Sequence, residues 1–355
     1  MGIRLGIVGA GAIGKVHLKA ARDRGLTLAG LADVNESLAQ TVGKEFGVGQ
    51  VFADPQAMFA SDAVDAVVIG VPNSFHAPLT IAALEAGKDV LVEKPMGLNA
   101  AECEQMNATA AKHKRVLQVG LVQRYSTAGV AAKRIIDAGR LGHIYHAKAN
   151  CYRRRGIPGL GGWFTTKALS GGGPLIDLGV HVMDLVLYLM GSPTLSRVSA
   201  KVYANFGPRM KDYLYESMWA GPPRLDGAFD VEDEAHALVR FDNGATLDVN
   251  VTWAMNFPDG GLPSTIGLFG DRGGMTFPLG GKELKLATEE DGANVDVLPV
   301  LRPMDHFGDQ ISTFAEHCEK RTTPHASGQA GELVQRLIDA IYRSSEENRE
   351  VDFKL

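Results

Sequence analysis

A few residues in this chain have the types and spacing to do chemistry. Gly9-Ala10-Gly11-Ala12-Ile13-Gly14 fits G-x-G-x-x-G between an apolar run and a helical pattern, and Asp33 ends the next apolar run. In that context Gly9 permits a tight turn, Gly11 lets a pyrophosphate approach the backbone, and Gly14 lets the helix pack closely on the strand. Ala12 and Ile13 open a helix whose free N–H groups and dipole would hold the phosphates. A carboxylate at Asp33 hydrogen-bonds ribose hydroxyls and repels a 2′-phosphate, and neither Val34 nor Asn35 supplies an arginine, so NAD is expected rather than NADP.

Lys94 lies in Glu93-Lys94-Pro95, just past one apolar run, as Val71-Pro72-Asn73 lies past another. Ligands of open α/β sheets bind outside the carboxyl ends of strands. A lysine there can hydrogen-bond a substrate hydroxyl and offset charge on a developing alkoxide; the alternative is a surface lysine snorkelling from a strand end. Pro95 is a candidate cis proline.

A second constellation follows Ser170-Gly171-Gly172-Gly173-Pro174, which reads as a tight entry into a helix with proline in its first turn. Asp177 and His181 sit four apart, on one helix face. A carboxylate beside an imidazole fixes its tautomer and makes it a better base. An ordinary surface pair and half of a metal site are the competing readings, but no third His or Cys ligand has suitable spacing, so no metal is expected. The glycines favour a wall approached closely by a ligand. Upstream, Tyr152, Arg153, Arg155 and Trp163 fall in a Gly-rich loop that can present a flat apolar face and guanidinium donors to a sugar; a charged edge with a core tryptophan is the alternative.

The elements that position these residues change character along the chain. Up to about residue 122, strand patterns (Ile3–Val8, Leu26–Asp33, Ala66–Val71, Asp89–Glu93, Val116–Val122) alternate with helical ones (Ala12–Arg24, His76–Ala86, Asn99–His113). That rhythm predicts a doubly wound parallel sheet, with Asn99 and Glu102 as a capping box. Beyond Gln123 the patterns are longer and alternate apolar with polar residues, as in Ala245–Val251, which predicts an α+β region built on an antiparallel or mixed sheet. Helices near Gly173–Met190 and Asp305–Glu319 are expected to cover that sheet, and Gly331–Asn348 forms a last helix. The predicted domains are residues 1–123 and 124–355, with the last helix free to pack back on the first domain.

Bulk numbers act mainly as exclusions. The 355 residues carry a net charge of −5 and no long basic run, so nucleic acid is not an expected partner. No uninterrupted apolar run of ~18 residues is present, so no membrane span is expected. Cys103, Cys151 and Cys318 are too scattered for a disulfide framework, and a cytoplasmic location is expected. Glycine is in excess, 42 residues or about 12% against a usual ~7%. It clusters in the first loop, between Gly156 and Gly173, and between Gly260 and Gly281, the last assigned only to turns or bulges.

GAGAIG at the start, VPNSFH at 71–76, EKP at 93–95, GGGPLIDLGVHVMDL at 171–185 and the tail Pro324–Val351 together resemble the Gfo/Idh/MocA oxidoreductases, in order and across both halves. The resemblance implies an N-terminal Rossmann domain and a C-terminal domain with a large open, mostly antiparallel sheet that builds homo-oligomers, dimers or tetramers. It implies that Lys94, Asp177 and His181 form the catalytic set. It also implies that Pro72, Asn73, His76, Glu93 and Lys94 line the nicotinamide end of the cofactor, with Arg124 and Tyr125 near the substrate. The expected activity is hydride transfer between NAD and a secondary hydroxyl of a sugar, inositol or glycoside. His181, oriented by Asp177, is then the general base, and Lys94 steadies the oxygen. Two alternatives stand beside it: a glycosidase that oxidises transiently, eliminates and returns the hydride, and a non-catalytic dinucleotide-binding regulator.

Overall fold

In the computed structural model, which describes residues 2–215, 218–258 and 260–353, the short apolar runs of the N-terminal third become one parallel sheet. β1 (Arg4–Val8), β2 (Thr27–Ala32), β3 (Gln50–Phe52), β4 (Ala66–Ile69), β5 (Asp89–Val92) and β6 (Leu117–Val119) pair in the order β3-β2-β1-β4-β5-β6. Every pairing is parallel. The strand order reverses between β1 and β4, which opens a ligand crevice at their carboxyl ends. Helices α1 (Ala12–Asp23), α2 (Glu36–Phe46), α3 (Pro55–Ala60), α4 (His76–Glu85) and α5 (Ala100–His113) make the connections. β4 and β5 are buried at every residue, the reason their sequences, apart from Asp89 at the start of β5, are continuously apolar rather than alternating. The α5 cap forms as expected: Asn99 accepts from Glu102 N at 3.0 Å, and Glu102 accepts in return from Leu98 N at 2.8 Å. β3 was not foreseen, because three residues with one buried side chain are too few to show a period.

The chain divides into two compact units, Met1–Val122 with Asp305–Gln335, and Gln123–Met304 with Arg336–Leu355. The helix His306–Lys320 therefore does not cover the second sheet. Its Ile311, Phe314 and Cys318 are buried in the first unit's core with Leu5, Leu18 and Ala21. Arg24 on the same unit holds its start through Asp305 and Asp309 at 3.0 and 2.9 Å. Amphipathic spacing announces an apolar stripe but not the surface that will bury it.

The second unit begins with α6 (Thr127–Asp137) and β7 (Ile144–Cys151), followed by a short α7 (Lys167–Ser170). A π turn over Leu175–Gly179 then leads straight into α8 (Val180–Leu189). β8 (Leu195–Tyr203), β9 (Glu234–Phe241), β10 (Thr246–Thr252), β11 (Thr265–Gly270), β12 (Gly273–Pro278), β13 (Lys285–Glu290), β14 (Ala293–Val297) and β15 (Val351–Asp352) complete it. The nine strands run β14-β13-β12-β11-β7-β10-β9-β8-β15, with β7 and β10 parallel and the other pairs antiparallel. Along β10, Leu247, Val249 and Val251 are buried while Thr246, Asp248 and Asn250 alternate with them on the other face. The π turn packs on β7 and β10, and α8 on β7 and β11. Lys167–Leu189 is long and apolar enough by composition to cross a bilayer, which a search for uninterrupted apolar runs misses. Because 89% of its most apolar window is buried inside the protein, it serves as a core segment. Part of the Gly260–Gly281 cluster belongs to β11 and β12. There a Cβ at Gly270 would strike the carbonyl oxygen of Leu141, where the β11–β7 register shifts.

Candidate active site

The first unit supplies a cradle. Gly9 adopts φ +103°, donates its N–H to Ala32 O at 2.8 Å, and has no room for a Cβ beside Gly70 O. A Cβ at Gly14 would strike Gly9 O, so the first turn of α1 sits directly against the loop. Gly11 differs: a Cβ there would meet nothing within 4 Å, and Gly11 and Ala12 are exposed. The loop thus turns bare backbone and first-turn N–H groups, which have no partners within the helix, toward open space, the geometry an anionic pyrophosphate requires. Asp33 braces the same loop, accepting from Ala10 N at 2.7 Å and Asn35 N at 2.8 Å. A carboxylate oxygen accepts more than one hydrogen bond, so these braces leave lone pairs for ribose hydroxyls.

Two turns beyond β4 and β5 are locked together. The Lys94–Pro95 peptide is cis. His76, at the start of α4, is buried with Nδ1 2.6 Å from Pro95 O and Nε2 2.8 Å from Val71 O, and so bridges both turns. Burial pushes its pKa down. Glu93 points inward: its Oε1 lies 2.7 Å from Nε2 of buried His17, and its Oε2 accepts from Lys94 N at 3.1 Å. Burial by itself would raise the Glu93 carboxyl, but the His17 hydrogen bond and neighbouring positive charge outweigh it and hold the pKa below the usual range. Pro72 and Lys94 are half-buried, and Asn73 is buried. Of the residues assigned to the nicotinamide end, His76 and Glu93 thus spend their polar atoms on internal bracing.

In the second unit Asp177 lies on the π turn and His181 on the first turn of α8, a junction of a kind often found at functional sites. Asp177 is buried and accepts a hydrogen bond from Trp253 Nε1 at 3.0 Å. Trp253 belongs to an aromatic cluster. Its ring meets Phe164 edge-on at 6.3 Å, Phe164 lies 3.7 Å from Trp163 and meets exposed Trp219 edge-on at 5.0 Å. The predicted substrate loop runs alongside: Gly156 N donates to Trp253 O at 2.7 Å, Arg153 N to Thr252 Oγ1 at 3.1 Å, and Tyr152 N to Ser264 Oγ at 2.9 Å.

Residues 3–121 match an oxidoreductase family with an NAD-binding Rossmann fold, and residues 130–276 match the Gfo/Idh/MocA C-terminal domain. The chain is 30% identical to D-glucoside 3-dehydrogenase of Escherichia coli, over 99% of this chain and 97% of that one. It belongs to the Gfo/Idh/MocA family. It is also 27% identical to the scyllo-inositol 2-dehydrogenase (NAD(+)) of Bacillus subtilis, over 91% and 88% of the two chains. Levoglucosan dehydrogenase in complex with NADH and L-sorbose shares the fold at a TM-score of 0.85 and 24% identity, covering 99% of each chain.

Several residues of this Gfo/Idh/MocA chain have work that their sequence positions did not announce. Arg124 is buried against Asp184, with Nε 2.9 Å from one carboxylate oxygen, and lies over the Tyr188 ring at 4.5 Å. Arg155 lies 5.4 and 5.9 Å from the centroids of the Phe206 and Tyr213 rings and donates to Asn256 Oδ1 at 2.7 Å and to two backbone carbonyls. Both guanidinium groups have internal partners. The glycines before Asp177 are not a ligand wall. A Cβ at Gly172 would collide with the Tyr342 hydroxyl, and one at Gly173 with Glu232 O. Buried Glu232 caps the turn, accepting from Gly173 N at 2.9 Å, Leu175 N at 3.1 Å and Tyr342 Oη at 2.9 Å. Burial raises its pKa, and the two N–H groups pull it back. His17, Trp253, Glu232 and Tyr342 were all missed. Only His17 carries a local signal, as a polar residue on the inward face of α1 one turn past Gly14.

Proposed function

We propose that this protein is an NAD-dependent dehydrogenase oxidising a secondary hydroxyl of a sugar, glycoside or inositol ring. One observation carries the reading: the same chain holds a dinucleotide cradle and a buried carboxylate, Asp177, on the π turn that leads into His181. Its relatives named as glucoside and inositol dehydrogenases support a polyhydroxylated ring as substrate.

Gly9, Gly11, Gly14 and the first turn of α1 hold the pyrophosphate, and Asp33 takes the ribose hydroxyls. NAD supplies the hydride acceptor. Asp177, itself fixed by Trp253, orients the His181 imidazole, which takes the hydroxyl proton as general base. Lys94 donates to the same substrate oxygen and offsets its charge as the proton leaves. Trp163 offers its face to the ring's C–H groups.

The test is a panel of aldoses, glycosides and inositols with NAD and with NADP, followed by reduced-nicotinamide absorbance, on wild type, K94A and H181A. Each alanine variant should lose about 100-fold or more in kcat while NAD affinity stays within about threefold. Near-normal turnover in a folded variant removes that residue from the scheme. Aglycone release without net NADH would replace simple oxidation with elimination, and tight NAD binding with no turnover on any substrate would leave a regulator.

A further inference from the structure

Deep in the first unit, two ionisable side chains that touch no substrate position face each other. His17 is fully buried on α1, and Glu93 directly follows β5 with 6% of its surface exposed. Nothing in the reaction just described needs either of them, yet burying a carboxylate is unfavourable unless both its oxygens are satisfied. Here both are. One oxygen receives His17 Nε2 and the other the backbone N–H of Lys94. His17 Nδ1 meets no partner and its ring lies edge-on to Phe307 at 5.6 Å, so the ring proton belongs on Nε2, where Glu93 accepts it. Space around the carboxylate is closed as well, since a Cβ at Gly120 would lie 2.9 Å from the Glu93 carboxyl carbon.

We propose that the buried His17–Glu93 pair is a positioning device for Lys94, tying the helix that begins at the phosphate loop to the turn that carries the lysine. Lys94 is then fixed from two sides. Glu93 takes its amide, and His76 takes the carbonyl of Pro95 that follows it. Because His17 lies one turn beyond Gly14 on α1, any shift of that helix reaches the Lys94 turn through one buried hydrogen bond. Glutamate is the side chain this job demands. A glutamine has a single oxygen, so it could receive Lys94 N–H only by turning its amide donors on His17. The ring proton would then have to move to Nδ1, which has no acceptor.

The inference rests on the role of Lys94 given above, and the test separates the two. In E93Q, kcat should fall about tenfold or more, with NAD affinity, read by binding titration, within about threefold and the fold retained by thermal melt. In a K94A background, E93Q should cause no further loss, because a residue acting through Lys94 has nothing left to position. H17Q, which keeps a donor for Glu93, should retain more turnover than H17L, which removes it. If H17L does not fold, E93Q alone decides. Wild-type kcat in folded E93Q, or the same fold-loss from E93Q with and without Lys94, overturns the proposal. Near-normal kcat in K94A itself overturns instead the role of Lys94 on which it is built.

Discussion

Replacing Trp253 with phenylalanine isolates the hydrogen bond that aims the proposed catalytic carboxylate. Trp253 is fully buried, and its Nε1 lies 3.0 Å from an Asp177 oxygen. The substitution keeps an aromatic ring against Phe164 but deletes the donor. A hydrogen bond to a charged group in the interior is worth ~1.5–3 kcal/mol. Trimming the indole adds roughly 1–2 kcal/mol for lost packing. W253F should therefore be destabilised by roughly 2.5–5 kcal/mol in denaturant titration. Its kinetic effect comes from position rather than stability. An Asp177 released from its anchor orients His181 less well, and misplacement of about 1 Å costs up to ~100-fold, so kcat should fall roughly 10–100-fold. The matched control is Leu187→Ala on α8, a buried aliphatic residue whose loss costs ~2–5 kcal/mol and removes no hydrogen-bonding group. L187A should melt as early as W253F and keep kcat within about threefold. A W253F enzyme with unchanged kcat, or an L187A enzyme that loses kcat equally, would refute the assignment of Trp253 as the residue that aims Asp177.

Two further predictions concern the cofactor and the pH dependence of stability. Val34 is fully exposed beside Asp33, so the pair D33S and V34R removes the carboxylate and adds a phosphate partner without steric cost. The NADP-to-NAD ratio of kcat/KM should rise by about tenfold or more, and an unmoved ratio would show that Asp33 does not read the ribose. Buried Asp233 accepts from Phe206 N at 2.6 Å, and burial raises its pKa to about 6, above the ~3.9 of an unfolded chain. Because the folded state holds this proton more tightly, its contribution is present in full below pH ~4 and lost as pH rises through about 6. The unfolding free energy of wild type relative to D233N, read from urea titrations, should fall by roughly 1–2 kcal/mol across that window; a flat difference would place the titration elsewhere.

Much of this fold was legible because its signals are local. Continuous apolar runs such as Ala66–Ile69 can only be strands buried on both faces, and Asn99 with Glu102 needs no tertiary partner to cap a helix. What stayed hidden was whatever depends on a distant segment. The stripe on His306–Lys320 is clearly amphipathic, yet its Ile311 and Phe314 fill the first unit's core instead of covering the sheet nearest in sequence. β12 and β14 are strands of six and five residues whose alternation spans only three or four positions, too few to read as a period. The proposed catalytic residues Lys94, Asp177 and His181 stand out in the sequence because they sit in distinctive local motifs. Their supports do not, since Trp253 and Glu232 stand 76 and 59 residues from the backbone or side-chain groups they hold.

The glycines make the limit of such reading concrete. Spacing marks Gly11 and the Gly171–Gly173 run alike as places where something approaches the backbone closely, and the structure shows such an approach at Gly172 and Gly173. At Gly11 the space is open, and a Cβ there would touch nothing. At Gly172 and Gly173 the space is already filled, by the hydroxyl of Tyr342 and the backbone of Glu232. The same residue type thus stands at open space in one loop, where we propose the pyrophosphate sits, and at a structural clamp in the other. The difference lies wholly in which distant residue folds back. The clamp is not idle, because Glu232 holds Gly173 N and Leu175 N at the entry to the π turn and so sets where Asp177 begins. Arg124 and Asp184 form a buried pair one turn beyond His181 on α8. A site that must hold a base in one orientation draws its rigidity from residues whose own chemistry is never used.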